Sequence, residues 1–245
     1  MAAGERESPA SKSLRLSLAN IQETLAICWP TILDAFRGRV TKQVSDERLG
    51  RWADNIIANA RIDVQVRGRE HLQSGATFLV VSNHQSLYDI PVLFHVIGSN
   101  IRMITKKELF RVPVFGNALA LGGFISIDRS NREAAIKSLE RARELLASGT
   151  HVWIAPEGTR SRTGAMLPFK KGAFYLALEA GLPILPVTLV GTRDVLAAKG
   201  LRSIPDVRVD VTIHAPIDAQ PYAARGKGGR DELSAEVRRV LESAL

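Results

Sequence analysis

Residues 76–90 read ATFLVVSNHQSLYDI, an apolar run that breaks at Ser82 into a polar stretch holding His84, Ser86 and Asp89. A short apolar run rich in β-branched residues and ended by polar ones reads as a buried strand followed by a turn. The same texture recurs in RIDVQV (61–66), IRMIT (101–105), GFISI (123–127), HVWIA (151–155), PILPVTLV (183–190) and VRVDVTI (207–213), with helical segments between. That alternation predicts an α/β fold with a largely parallel central sheet flanked by helices. Ser130 and Glu133 stand at capping-box spacing, Ile136, Leu139, Ala142 and Leu146 share a face, and Gly149 follows, which marks one connecting helix. A last helix is expected from about Asp231 to Leu245, after RGKGGR, read as a basic loop.

Ahead of this alternation, Leu14, Leu18, Ile21, Leu25, Cys28, Ile32 and Phe36 recur every three or four residues, an apolar helical stripe that Pro30 is expected to kink or divide. A second periodic segment carries Leu49, Trp52, Ile56 and Ala60 on one face. The chain thus divides into a tail and helical pair, 1–60, and an α/β domain, 61–245. The pair packs on the protein's own core or on lipid, and Arg37, Arg39 and Lys42 at its joint favour an anionic membrane surface.

The composition bounds the function. With 245 residues, 45% hydrophobic and 24% charged, the chain is neither disordered nor a multi-span membrane protein. The single cysteine, Cys28, excludes an intrachain disulfide framework and suits a reducing compartment. A net charge of +8 calls for an anionic partner, but only 6% of residues are aromatic and no basic run alternates with stacking rings, so nucleic acid is not expected. Glu5 and Glu7 sit where a signal peptide carries positive charge, and no apolar stretch approaches the ~20 residues that cross a bilayer, so neither an export signal nor a span is expected.

In open α/β sheets, ligands bind where strands end at their carboxyl edge. His84 follows such a strand, and Asp89, five residues on, can reach its ring only if His84 lies in a turn ahead of the helix. The pair then reads as a general base and its orienter. Ser86 sits too near His84 to be a strand-borne nucleophile, and no G-x-S-x-G elbow is present. A metal site of His84, Asp89 and Glu157 has the ligand types but no paired-His spacing, so no metal is expected. His214 and Asp218 form another His/Asp pair, taken as structural. Further strand ends bring Lys106 and Lys107, then Asp128 and Arg129, then Glu157, Gly158, Arg160 and Arg162; the lysines and arginines among them are cations suited to phosphate.

NHQSLYD, GFISIDR, APEGTR and ILPV occur in the order of the four motifs of the glycerolipid acyltransferases, and the stretch from about Val66 to Val190 resembles that family. KKELFRVPVFG and FKKGAF resemble the segments around those motifs. The resemblance, to the bacterial type that acylates 1-acyl-sn-glycerol 3-phosphate, implies His84 as base with Asp89 as partner. It implies Arg129 and Arg160 at the substrate phosphate, with Lys106 and Lys107 as further contacts, and Glu157, Gly158 and Thr159 in the acceptor site. It also implies acyl-coenzyme A or acyl carrier protein as co-substrate, a lysophospholipid acceptor, no cofactor, and peripheral residence on the cytoplasmic face of the membrane. Ala155 and Ser126 depart from the larger apolar residues usual in the family, which bears on acceptor and chain-length preference. Glycerol 3-phosphate or a lyso-aminolipid stays open as acceptor, as does a catalytically silent lipid-binding protein on the same fold.

Overall fold

The structure, a computed structural model, describes residues 9–72, 75–128 and 130–245. Each apolar run forms a strand: β1 Asp63–Arg67, β2 Leu79–Ser82, β3 Ile101–Lys106, β4 Ile125–Ile127, β5 His151–Ile154, β6 Ile184–Val190 and β7 Arg208–Ile213. They make one sheet in the order β1-β7-β6-β2-β5-β3-β4. From β6 to β4 the neighbours are parallel, whereas β7 runs antiparallel to β6 and takes β1 parallel beside it. Five strands therefore deliver their carboxyl ends to one edge. β2 lies among them, every residue buried, with Val81 opposite Ile154 on one side and Pro186 on the other. A strand covered on both faces has no polar alternation, which is why LVV reads as a plain apolar run.

Helices α1 Pro9–Phe36, α2 Lys42–Ala60, α3 Asp89–Ile97 and α4 Phe115–Leu121 belong to one face, and α5 Arg132–Ala147 and α6 Gly172–Ala180 to the other. α7 Thr192–Val195 follows β6, and α8 Gln220–Ala223 leads into α9 Gly226–Glu242 on the second face. The strands split their side chains between two cores: Val80, Trp153 and Leu185 meet Ile56, Leu93 and Leu119, while Leu79, Val81 and Val152 meet Leu146, Phe174 and Val237.

Several expectations change, and the α1 stripe, left open between the protein's core and lipid, faces mostly outward. α1 continues through Pro30 undivided. Most of its periodic apolar residues point outward: Leu14, Leu18, Ile21, Leu25 and Phe36 are exposed, together with Trp29 and Leu33, and of the stripe Cys28 alone is fully buried. Its inner face mixes Leu16, Ile27 and Cys28 with polar side chains, Thr24 accepting from Trp52 Nε1 at 3.1 Å and Asn20 Nδ2 donating to the Tyr88 hydroxyl at 2.6 Å. The cap of α5 is Asn131, whose side chain accepts from Ala134 N, because Ser130 is held by Asp128 instead, and Ile136 is exposed. RGKGGR opens α9 rather than preceding it. Gly229 allows this, since a Cβ there would stand 2.0 Å from Tyr222 O, and Arg230 is buried against the Tyr175 ring.

No helix among the described residues is long and apolar enough to cross a membrane.

Candidate active site

β2 ends at Ser82, and the Asn83 side chain pairs both ways with the Leu189 main chain at 2.8 Å, locking the ends of β2 and β6 together. His84 follows in the turn, and α3 starts at Asp89. His84 Nδ1 lies 2.7 Å from Asp89 Oδ2, the same oxygen that accepts Gln85 N at 2.8 Å and Ser86 N at 3.0 Å. Three donors on one oxygen of a carboxylate with no exposure fix the turn and the ring together. Asp89 also sits in the first turn of α3, where the helix dipole favours a negative charge. With Nδ1–H given to Asp89, the ring carries its lone pair on Nε2. The His84 side chain is 18% exposed and packs edge-on against Trp153, so Nε2 is reachable yet the ring is confined.

The loop after β5 grips the His84 peptide from both sides. Glu157 Oε1 accepts His84 N at 2.8 Å, and Ser161 N donates to His84 O at 2.8 Å. Glu157 Oε2 accepts Leu167 N at 2.8 Å, so both oxygens of this buried carboxylate are engaged by main chain. Burial pushes its pKa up from the ordinary 4.5, opposed by those two N–H donors. Gly158 turns the loop at φ 72°, a left-handed conformation that glycine adopts without strain.

Among the cations, Lys106 and Lys107 stand at the end of β3 on the same edge. Lys107 Nζ is 2.5 Å from Asp128 Oδ2, and Lys107 with Ser130 holds the Asp128 carboxyl well below the usual range. Lys106 is exposed, and among the described residues it has no ion-pair partner. Arg160 is half-buried, likewise without a partner among them, and Thr159 beside it is exposed. Arg129 lies outside the described residues. Ser86 is buried: its hydroxyl donates to Leu196 O at 2.7 Å and accepts Tyr88 N at 3.2 Å, a turn hydrogen-bonding role. His214 and Asp218 do not pair: His214 Nε2 meets Thr188 Oγ1 at 2.9 Å, and Asp218 accepts Gln220 N at 3.0 Å. Among the described residues no three His, Cys, Asp or Glu side chains converge as a metal site.

Sequence reading missed an apolar cavity of about 370 Å³ bounded by α1, α2, α3 and α4. It begins at Leu87 and Tyr88, just beyond His84 in the same turn, and runs past Trp52, Met103, Leu119 and Phe124. The lining comes from six separate stretches of chain, the last of them Leu196 to Ser203, and no local pattern announces their convergence. Asn83 was missed as well, although a buried amide directly after a strand was a usable signal.

A His/Asp pair thus stands just past the carboxyl end of β2, with Lys106 closing β3 on the same edge of the sheet. Residues 63–190, just over half of the chain, match the Acyltransferase family model. A chloroplastic 1-acyl-sn-glycerol-3-phosphate acyltransferase of Brassica napus is 40% identical over 170 residues, 68% of this chain and 48% of that protein. The 1-acyl-sn-glycerol-3-phosphate acyltransferase alpha of Mus musculus is 38% identical over 191 residues, 76% of this chain and 65% of that one. The chain thus spans about half to two thirds of the length of these relatives. The crystal structure of the 1-acyl-sn-glycerophosphate acyltransferase PlsC from Thermotoga maritima superposes with a TM-score of 0.78 at 27% identity, covering 95% of this chain and 94% of that one. The chain belongs to the Acyltransferase family.

Proposed function

We propose that this chain moves a fatty acyl group from acyl-coenzyme A or acyl carrier protein to the sn-2 hydroxyl of lysophosphatidic acid, giving phosphatidic acid. The observation that carries the reading is His84 Nδ1 held at 2.7 Å from buried Asp89 Oδ2, in a ring that is still 18% exposed just past the carboxyl end of β2. His84 Nε2 takes the hydroxyl proton as the acceptor oxygen attacks the thioester carbonyl. The C–S bond then breaks, and the imidazolium returns the proton to the departing thiolate. Asp89 stabilises that imidazolium and holds the tautomer. No cofactor or metal enters this route.

Arg160 and Lys106, with Arg129, supply phosphate contacts, and the apolar cavity beside Leu87 suits an acyl chain. The names of the relatives, all acyltransferases of 1-acyl-glycerol phosphates, support the acceptor. The outward apolar row of α1, from Leu14 to Phe36, suits peripheral contact with the anionic cytoplasmic face of a membrane, attachment that weakens with salt. The test is to incubate the purified chain with labelled acyl-coenzyme A, and in parallel acyl carrier protein, against lysophosphatidic acid, glycerol 3-phosphate and a lyso-aminolipid. Transfer to lysophosphatidic acid is the expected result. Acyl lipid bound but never transferred would leave a binding protein and overturn the reading.

A further inference from the structure

The connection from β6 to β7, residues 196–207, carries a leucine that a water-soluble surface does not explain. Leu201 is 85% exposed, matched among the described large apolar residues only by Phe36 of α1 at 87%. Ile204, also in this connection, is exposed. Lys199 and Arg202 flank Leu201, both exposed, and neither has an ion-pair partner among the described residues.

The loop is nonetheless held in place. Ser13 Oγ donates to Ser203 O at 2.8 Å, Ser203 N donates to Ser17 Oγ at 2.9 Å, and Ile204 N donates to Val195 O at 2.8 Å. Ser13 and Ser17 lie one turn apart on α1, each directly before an outward leucine, Leu14 and Leu18. The loop and the apolar row of α1 are therefore registered to each other by buried hydrogen bonds. Gly200, Leu201 and Ser203 also line the apolar cavity, as do Ile21 and Leu87, both themselves exposed. Ile21, Leu87 and Leu201 thus link the cavity lining to the outer apolar surface.

An exposed leucine between two unpaired cations matches the chemistry of an anionic bilayer surface: the cations meet headgroups, and the leucine enters the acyl boundary. We propose that residues 196–207 are a second lipid-contacting element, which Ser13 and Ser17 align with α1 so that the cavity opens onto the bilayer. This rests on the reading of α1 as lipid-facing, and the experiment separates the two.

Leu201→Cys is labelled with an environment-sensitive fluorophore in the full chain. Native Cys28 does not compete, since it is buried and its thiol is pushed up to about 11. Leu25→Cys reports on α1, and Glu140→Cys, exposed on α5 at the opposite face of the sheet, is the control. On vesicles containing phosphatidylglycerol, the labels at 201 and 25 should shift to the blue and be quenched by spin-labelled lipid, while the label at 140 stays unchanged. A response at 25 but not at 201 overturns the loop proposal and leaves α1 standing; silence at both overturns both.

As a second readout, Lys199→Gln with Arg202→Gln should lower the partition coefficient on anionic vesicles by ~30-fold, since each cation near the surface contributes ~1 kcal/mol. The melting temperature should not move, because both side chains are exposed and unpaired. Partitioning unchanged within twofold counts against the proposal. If partitioning is intact and only turnover with acyl carrier protein falls, the loop is a protein-docking site instead.

Discussion

Glu157→Gln separates two roles for the glutamate of APEGTR. The resemblance puts Glu157 in the acceptor site, yet its two oxygens accept His84 N and Leu167 N, each at 2.8 Å, which makes it a brace for the main chain at His84, the proposed base. Glutamine is nearly isosteric but keeps one acceptor oxygen and turns an NH₂ toward the second N–H. One charge-assisted hydrogen bond is lost, ~1.5–3 kcal/mol. Folding stability does not record all of this loss, because burial already disfavours the charge: a pKa raised in the fold means that ionised Glu157 costs stability as pH climbs past 4.5. The neutral amide removes that cost, so the melting temperature should shift by only a few degrees. The loss falls on the placement of His84. At ~1.4 kcal/mol per tenfold, kcat should drop ~10- to 100-fold while the acceptor KM stays within about twofold. Steady-state kinetics with lysophosphatidic acid varied, beside a thermal melt, decide it. A raised acceptor KM with kcat intact would refute the brace and place Glu157 on the acceptor.

Arg160→Ala should raise the acceptor KM by ~10-fold or more with kcat little changed, and Arg160→Lys should restore it only in part, since a point charge loses the planar fork; a rise confined to the donor KM would reassign it to coenzyme A phosphates. Stability should fall as pH drops below about 6.5, measured as melting temperature across pH 5 to 7.5. Burial, with the Lys42 charge for His151 and the His71 charge for His214, holds both imidazoles below their ordinary 6.5, so the unfolded chain binds more protons in that window. His151 Nδ1 accepts Phe78 N at 3.1 Å, so its protonation breaks a bond, and His151→Gln should flatten the slope. Ser86→Ala should keep near-normal kcat and lose some stability, because its hydroxyl ties Leu196 O to the turn.

All seven strands were legible, for two reasons: β2 and β6, buried almost throughout, read as plain apolar runs, whereas β1 and β7 alternate in burial and read as β-branched residues alternating with polar ones. The geometry expected for His84 ahead of the helix, with Asp89 reaching back, was legible for a related reason: positions five apart cannot face each other within a helix. Periodicity could not say which side of α1 faces inward. Most of its apolar row is the outer one, and the inner face sets Leu16, Ile27 and Cys28 among Ser13, Ser17, Asn20, Thr24 and Thr31, whose hydrogen bonds run to α2, Tyr88 and Ser203. RGKGGR looked like a loop because three glycines lower helix propensity, and the close approach to Tyr222 that favours Gly229 is a tertiary fact. Asn131 displaced Ser130 as the cap because Asp128 competes for the serine, a pairing visible only once β4 and the start of α5 are placed.

The most direct test of the central claim is the turnover of folded His84→Ala with lysophosphatidic acid and an acyl thioester, compared with Asp89→Asn. General base catalysis supplies ~10²–10⁴-fold, so His84→Ala should lose at least a hundredfold in kcat while still binding both substrates. Asp89→Asn should follow it, because an amide can hold the wrong tautomer and cannot balance the imidazolium. Near-normal kcat in a His84→Ala protein whose melting curve matches the parent would contradict the account.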